Sequence, residues 1–268
     1  MARPPHPALS LARPLVYAHR GGAKLRPENT MAAFTHGLGL GADGLELDVH
    51  LSRDGVVVVH HDPTLERTTN GRGRVADHAA DELATLDAGY TFRAPDGSYP
   101  FRGQGLRIPA LADVLARFSG VPIIIEFKAN DPELARRTID VVRAANATGS
   151  VAFGSFDARV LRTARALEPR IPTGSAREES RWALYRSWVR WPLGNTAYQE
   201  LQIPERSGLT RIVTPHFVAH ARRAGLAVKV WTVDDADDMR RLASWGVAGI
   251  ITDRPDIAVG VFGGAKGC

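Results

Sequence analysis

Short runs rich in β-branched residues recur along the chain, separated by stretches with an apolar residue every three or four positions. The runs at 15–19, 44–50, 122–127, 151–155, 171–175, 201–203, 227–232 and 248–252 read as strands. Helical patterns fill most of the gaps. Asp131 can cap one helix and Pro132 open it. Thr214 and Pro215 open another that stops at Gly225, and a third runs from Asp234 to Trp245, ahead of Gly246. Strands alternating with helices predict parallel βαβ units.

Spacing selects among the parallel folds. Strand starts lie 20–30 residues apart, except the second and third, which lie 78 apart. A (β/α)8 barrel of ~250 residues needs about 31 per unit. The pattern therefore predicts an α/β fold, one TIM barrel with a small cap of roughly 50 residues inserted after strand 2. The helix of that unit is expected at 111–118. Ser52-Arg-Asp-Gly55 is too short for a parallel crossover and carries the Asp-Gly of a hairpin. The run at 56–61 is thus expected antiparallel to strand 2 and outside the barrel. The expected organisation is an N-terminal tail at 1–14, a single barrel domain at 15–258 with its cap at about 51–108, and a C-terminal tail at 259–268. A doubly wound open sheet would want a GxGxxG turn after the first strand, and His19-Arg-Gly-Gly22 is not one.

Composition changes this picture little. With 44% hydrophobic and 24% charged residues, the 268-residue chain is ordinary for a globular protein, which excludes disorder, collagen and coiled coil. A net charge of +5 raises nucleic acid or an anionic membrane as partner. Yet Lys24, Lys128, Lys229 and Lys266 are the only lysines, and the thirty arginines are scattered. Without a basic stripe or a known nucleic-acid module, no nucleic-acid partner is expected. Cys268 is the lone cysteine, so no intrachain disulfide is possible. Arg3, Pro4, Pro5 and Pro7 break the start where a signal peptide would need an apolar core. No run reaches membrane-span length, and the expected location is cytoplasmic.

Barrel enzymes carry their chemistry where strands end. His19 and Arg20 end strand 1, Glu46 and Asp48 share one face of strand 2, and Glu126 and Lys128 share one face of strand 3. Trp231 ends strand 7, and the hairpin returns to His60, His61 and Asp62. In strand 2 the acids alternate with Leu45, Leu47 and Val49, so the apolar set faces helices and the acids face the lumen. Bare carboxylates there are costly unless paired with Arg20 and Lys128 or bound to metal. An all-oxygen set suits a hard divalent cation, Ca²⁺ or Mg²⁺. His50 shares the acidic face and reads as a solvated turn residue, with ligation as the alternative. An arginine fork and a lysine suit a phosphate, and histidine is the usual acid/base group near neutral pH.

These residues sit in motifs. His19-Arg-Gly-Gly22, Pro27-Glu-Asn-Thr30, Glu46-Leu-Asp-Val49, Asp54-Gly55, His61-Asp-Pro-Thr-Leu65, Arg67-Thr-Thr-Asn-Gly71, Glu126-Phe-Lys128, Trp231-Thr-Val233 and Ile251-Thr-Asp253 resemble the glycerophosphodiester phosphodiesterase family, in order, from about residue 15 to 257. The resemblance implies a capped barrel and divalent-cation-assisted hydrolysis of glycerophosphodiesters to glycerol 3-phosphate and an alcohol. It implies that His19 and His61 form the acid/base pair, that Glu46, Asp48 and Glu126 hold the metal, and that Arg20 and Lys128 hold the phosphate. The family's His-Asp dipeptide selects His61 over His60, which then packs or lies at the surface. Glu28 and Asn29 are expected to fix a loop. Trp231 reads equally as a wall for the glycerol or alcohol group or as core.

One stretch remains. Trp182, Tyr185, Trp188 and Val189 fall at helical spacing, with Trp191, Arg181, Arg186 and Arg190 beside them. The stripe reads first as the core face of a barrel helix. The alternative is peripheral membrane contact through Trp182, Trp188 and Trp191. A branch of the resembled family, the lysophospholipase D-like members, is also hydrophobic in this region, which makes lysophospholipid hydrolysis the alternative activity. A non-catalytic anion-binding barrel is a third reading, but it would not need both histidines and all three carboxylates.

Overall fold

The computed structural model describes residues 6–263; Lys266 and Cys268 lie outside them. Strands β1 (Leu15–His19) and β2 (Gly44–Leu51) flank helix α1 (Met31–Gly39). After β2 come β3 (Val57–Val59), α2 (Ala80–Leu83) and α3 (Leu111–Arg117). Then β4 (Ile123–Phe127), α4 (Pro132–Ala144), β5 (Val151–Gly154), α5 (Ala158–Leu167) and α6 (Arg177–Trp188) follow. The chain continues through β6 (Glu200–Pro204), the two-residue strands β7 (Arg206–Ser207) and β8 (Thr210–Arg211), and α7 (Pro215–Arg223). It finishes with β9 (Ala227–Trp231), α8 (Ala236–Ser244), β10 (Gly249–Thr252) and α9 (Pro255–Phe262).

Seven strands pair in parallel in the order β5-β4-β2-β1-β10-β9-β6. The ring closes through the segment expected as a full strand at 171–175. That segment contributes only two bridging residues: Thr173 pairs with Phe153 of β5 and Gly174 with Glu200 of β6. Pro172 lacks an N–H to donate, which accounts for part of this shortening. The architecture is the expected TIM barrel. Helix ends also follow local chemistry, since Asp131 caps α4 ahead of Pro132 and Thr214 caps α7 ahead of Pro215.

Two packing layers position the site. Leu45, Leu47 and Val49 join the main apolar core with α4 Leu134, α5 Leu161 and α7 Phe217. The alternate positions face the lumen, where Tyr17, Ile124 and Ile251 form a buried plug. Deeper, Lys229 and Glu200 make a buried ion pair at 2.7 Å. Strand β3 returns antiparallel to β2, as the short connection required. Gly55 turns that hairpin with φ of +80°, a conformation glycine adopts without a Cβ penalty. Beyond β3, Val58, Leu65, Val75, Leu83, Ala88 and Ile108 bury one another in a small core of their own. At the C-terminus α9 runs to Phe262, past the expected barrel limit at 258.

Candidate active site

At the C-terminal ends of the strands lies a cavity of about 780 Å³, lined by His19, Arg20, Glu46, His61, Glu126, Lys128 and Trp231 among others. His19 closes β1. The backbone then turns sharply, with φ of +51° at Arg20 and +86° at Gly21. A Cβ on Gly21 would lie 2.6 Å from the Ala33 backbone, so only glycine lets the loop pass over α1. This turn sends the Arg20 guanidinium between Glu28, at 3.0 Å, and Asp48, at 3.1 Å.

One carboxylate oxygen from each of Glu46, Asp48 and Glu126 lies within 4.8 Å of the others. Asp48 is fully buried and accepts from Asn29 Nδ2 at 2.8 Å. Lys128 Nζ stands 2.9 Å from Asp48 and 3.0 Å from Glu126. Burial raises the Asp48 pKa, but Lys128 and Arg20 outweigh it and hold the group below the usual carboxylate range. Glu46 is pushed up to about 7, by burial first and by Asp48 next. Burial also raises Glu126. Three carboxylates thus face two nearby cationic side chains. Asp48 Oδ1 is buried and faces the Lys128 ammonium. An all-oxygen cluster in which three carboxylates outnumber the two cationic side chains beside them fits a hard divalent cation.

Two histidines flank the cluster in matching fashion. His19 Nδ1 lies 2.6 Å from Asp253, and its Nε2 lies 3.8 Å from Glu46. His61 Nδ1 lies 2.5 Å from Asp62. A carboxylate only accepts, so each Nδ1 carries a proton and each Nε2 is left to face away from its aspartate. The two electrostatic environments differ. Burial lowers the His19 pKa, but Glu46 and the Asp253 hydrogen bond outweigh it and raise it overall. Burial lowers the His61 pKa, and Lys128 and Arg20 add to that.

Several residues sit where their neighbours in sequence gave no hint. Arg67, from the inserted region, donates to Glu28 at 2.7 and 2.8 Å and to Asp62 at 2.5 Å. It thereby ties the partner of Arg20 to the partner of His61. Asn29 and Glu28 hold their loop against the site, as expected. His60 is buried, with Nε2 3.1 Å from the Thr64 carbonyl. His50 is buried too, not solvated: its Nε2 donates to the His61 carbonyl at 3.0 Å, which fixes the hairpin end that carries His61. Asp62 is the sequence neighbour of His61, whereas Asp253 reaches His19 only through the fold. Trp231 is half-buried on the cavity wall, edge-to-face with Phe156 at 5.7 Å between ring centres.

The aromatic stripe of α6 is not a core face. Trp182, Tyr185, Trp188 and Val189 are exposed, and the helix instead buries Ala183, Leu184 and Ser187. Those three positions also share a helical face.

The model of the glycerophosphoryl diester phosphodiesterase family matches residues 19–257. The chain belongs to that family. A glycerophosphodiester phosphodiesterase of Caldanaerobacter subterraneus subsp. tengcongensis is 34% identical over 250 residues, 91% of this chain and 96% of that protein. Human lysophospholipase D GDPD1 is 26% identical over 264 residues, 89% of this chain and 82% of that protein. The solved structure of an Oleispira antarctica phosphodiesterase in complex with the product sn-glycerol-3-phosphate matches with a TM-score of 0.75 at 26% identity, over 93% of this chain and 96% of that one. In this family member, then, the motif residues of β1, β2 and β4 and of the inserted region converge on one cavity.

Proposed function

We propose that the protein hydrolyses glycerophosphodiesters to glycerol 3-phosphate and an alcohol, with His19 and His61 as the acid/base pair. The observation that carries this reading is the matched arrangement of the two imidazoles. Each is held by an aspartate at Nδ1, and both line the cavity that contains the carboxylate cluster. Through Nε2, one takes the proton of the attacking hydroxyl and the other gives a proton to the departing alkoxide. Each role is worth roughly 10²–10⁴ in rate. Arg20 and Lys128 orient the phosphodiester and offset charge on its oxygens. Glu46, Asp48 and Glu126 would hold the Ca²⁺ or Mg²⁺. When bound, that ion stabilises charge developing on the phosphoryl oxygens. The attacking oxygen belongs either to water or to the glycerol 2-hydroxyl, the latter by way of a cyclic phosphate.

A second reading keeps the chemistry and adds an acyl chain to the substrate, as in lysophospholipid hydrolysis. The apolar side chains of Leu184, Tyr185 and Trp188 favour it, because they line the same cavity as the histidines and carboxylates. A purely anion-binding role leaves both His–Asp pairs without a purpose. The test is incubation with glycerophosphocholine and with lysophosphatidylcholine, under Ca²⁺, Mg²⁺ and chelator. Release of glycerol 3-phosphate from the first supports the leading reading. Preference for the second supports the acylated substrate.

A further inference from the structure

The exposed apolar side chains are not scattered. Trp182 stacks edge-to-face on Tyr185 at 6.1 Å, and Tyr185 packs against Trp188 at 5.4 Å. This ladder runs along α6 from the outer surface into the cavity, where Tyr185 and Trp188 are part of the wall. Val189 and Trp191 continue the exposed run just beyond it, at 73% and 64% exposure. A second element presents the same chemistry at the same mouth. Ser207 and Thr210 of the β7–β8 hairpin line the cavity, and Leu209 at its tip is fully exposed. Single exposed apolar residues are ordinary, but a run of large ones beside a cavity marks a surface that meets something.

The surrounding charge says what. Arg177, Arg181, Arg190 and Arg206 are exposed, and none makes an ion pair among the described residues. Tryptophan and tyrosine combined with arginine suit the boundary between headgroups and acyl chains, where rings enter and guanidinium groups meet phosphate. A protein partner with an acidic rim would satisfy the arginines. Exposed apolar side chains intermixed with arginines (indoles and a phenol on α6, Leu209 on the hairpin) favour a lipid surface instead. We infer that the α6 ladder and the β7–β8 hairpin tip form a docking face for an anionic lipid bilayer, holding the mouth of the catalytic cavity against the headgroups. This inference does not depend on the catalytic roles proposed above.

The test uses the full chain with vesicles of phosphatidylcholine, with and without phosphatidylglycerol. Co-sedimentation is expected only with the anionic vesicles, together with a blue shift of tryptophan fluorescence and weakening by salt. Trp182, Trp191 and Leu209 lie outside the cavity lining. The variant Trp182→Ser/Trp191→Ser/Leu209→Ser is therefore expected to lose roughly tenfold or more in vesicle partitioning and to keep its turnover of glycerophosphocholine. Arg190→Gln/Arg206→Gln is expected to lose the preference for anionic vesicles. Three results would overturn the inference. One is no binding by the native chain at low salt. Another is equal binding by native chain and apolar variant. The third is a dimer in light scattering that the apolar variant abolishes, without vesicle binding, which would make the face a self-association surface.

Discussion

His19 and Asp253 meet at 2.6 Å, which joins the end of the first barrel strand to the loop behind the last one. The contact fixes the plane and tautomer of the imidazole, because only Nδ1 can donate to the carboxylate. Asp253→Asn keeps the shape but removes the charge. It is expected to lower kcat by roughly 10²-fold or more with little change in KM or thermal stability. Steady-state kinetics together with a melting curve checks this. A large fall in Tm with unchanged kcat would assign Asp253 a structural role only.

Arg67 is expected to act through its partners. It touches neither the carboxylate cluster nor the cavity wall, but it binds Glu28 and Asp62, which hold Arg20 and His61. Arg67→Met releases both. A loss approaching 10²-fold in kcat/KM follows if His61 and Arg20 shift by about 1 Å. Arg67→Lys, with one ammonium in place of a fork, should recover only part of the loss. Full activity in the methionine variant would contradict the positioning role.

Much of this site is legible in the chain. The alternation of Glu46 and Asp48 with Leu45, Leu47 and Val49 assigns the lumen face directly, and the 78-residue interval between strand starts locates the insertion. Other features are not legible, each for a physical reason. Two candidate stripes overlap on α6, and only packing decides that Ala183, Leu184 and Ser187 go inward and the larger aromatics outward. The segment around Thr173 has the composition of a strand but pairs through only two residues. His50 looks solvated beside a turn, yet the inserted region covers it and its hydrogen bond goes to the main chain of His61. The His19–Asp253 contact spans nearly the whole chain, so no local pattern reports it.

Acid stability should depend on Glu200. Burial raises its pKa, but Lys229 at 2.7 Å and the His6 hydrogen bond outweigh that and hold it at about 2, against an ordinary value of 4.5. A carboxylate depressed in the folded state stabilises the protein above its unfolded pKa. That contribution should fade as pH falls from about 4.5 towards 2. Lys229→Met strands a buried charge and is expected to cost about 3–5 kcal/mol at neutral pH. Adding Glu200→Leu to it should restore much of the loss. Urea unfolding of the three proteins at several pH values checks both statements. An unchanged Cm in Lys229→Met would contradict them.

Metal should stabilise the fold as well as support turnover. A cation that binds only the folded chain, present at a hundred times its Kd, adds about 2.7 kcal/mol. Addition of Ca²⁺ or Mg²⁺ to chelated protein is therefore expected to raise Tm, and Glu126→Gln should abolish most of that rise. An identical Tm rise in native and variant proteins would place the ion elsewhere.

The most direct test of the central claim is glycerol 3-phosphate release from glycerophosphocholine by the native protein, His19→Ala and His61→Ala, in the metal that supports the highest rate. Native turnover is expected, with each variant slower by roughly 10²-fold or more while its fold and metal-dependent Tm shift are kept. Full activity in either folded variant would contradict the paired acid/base account.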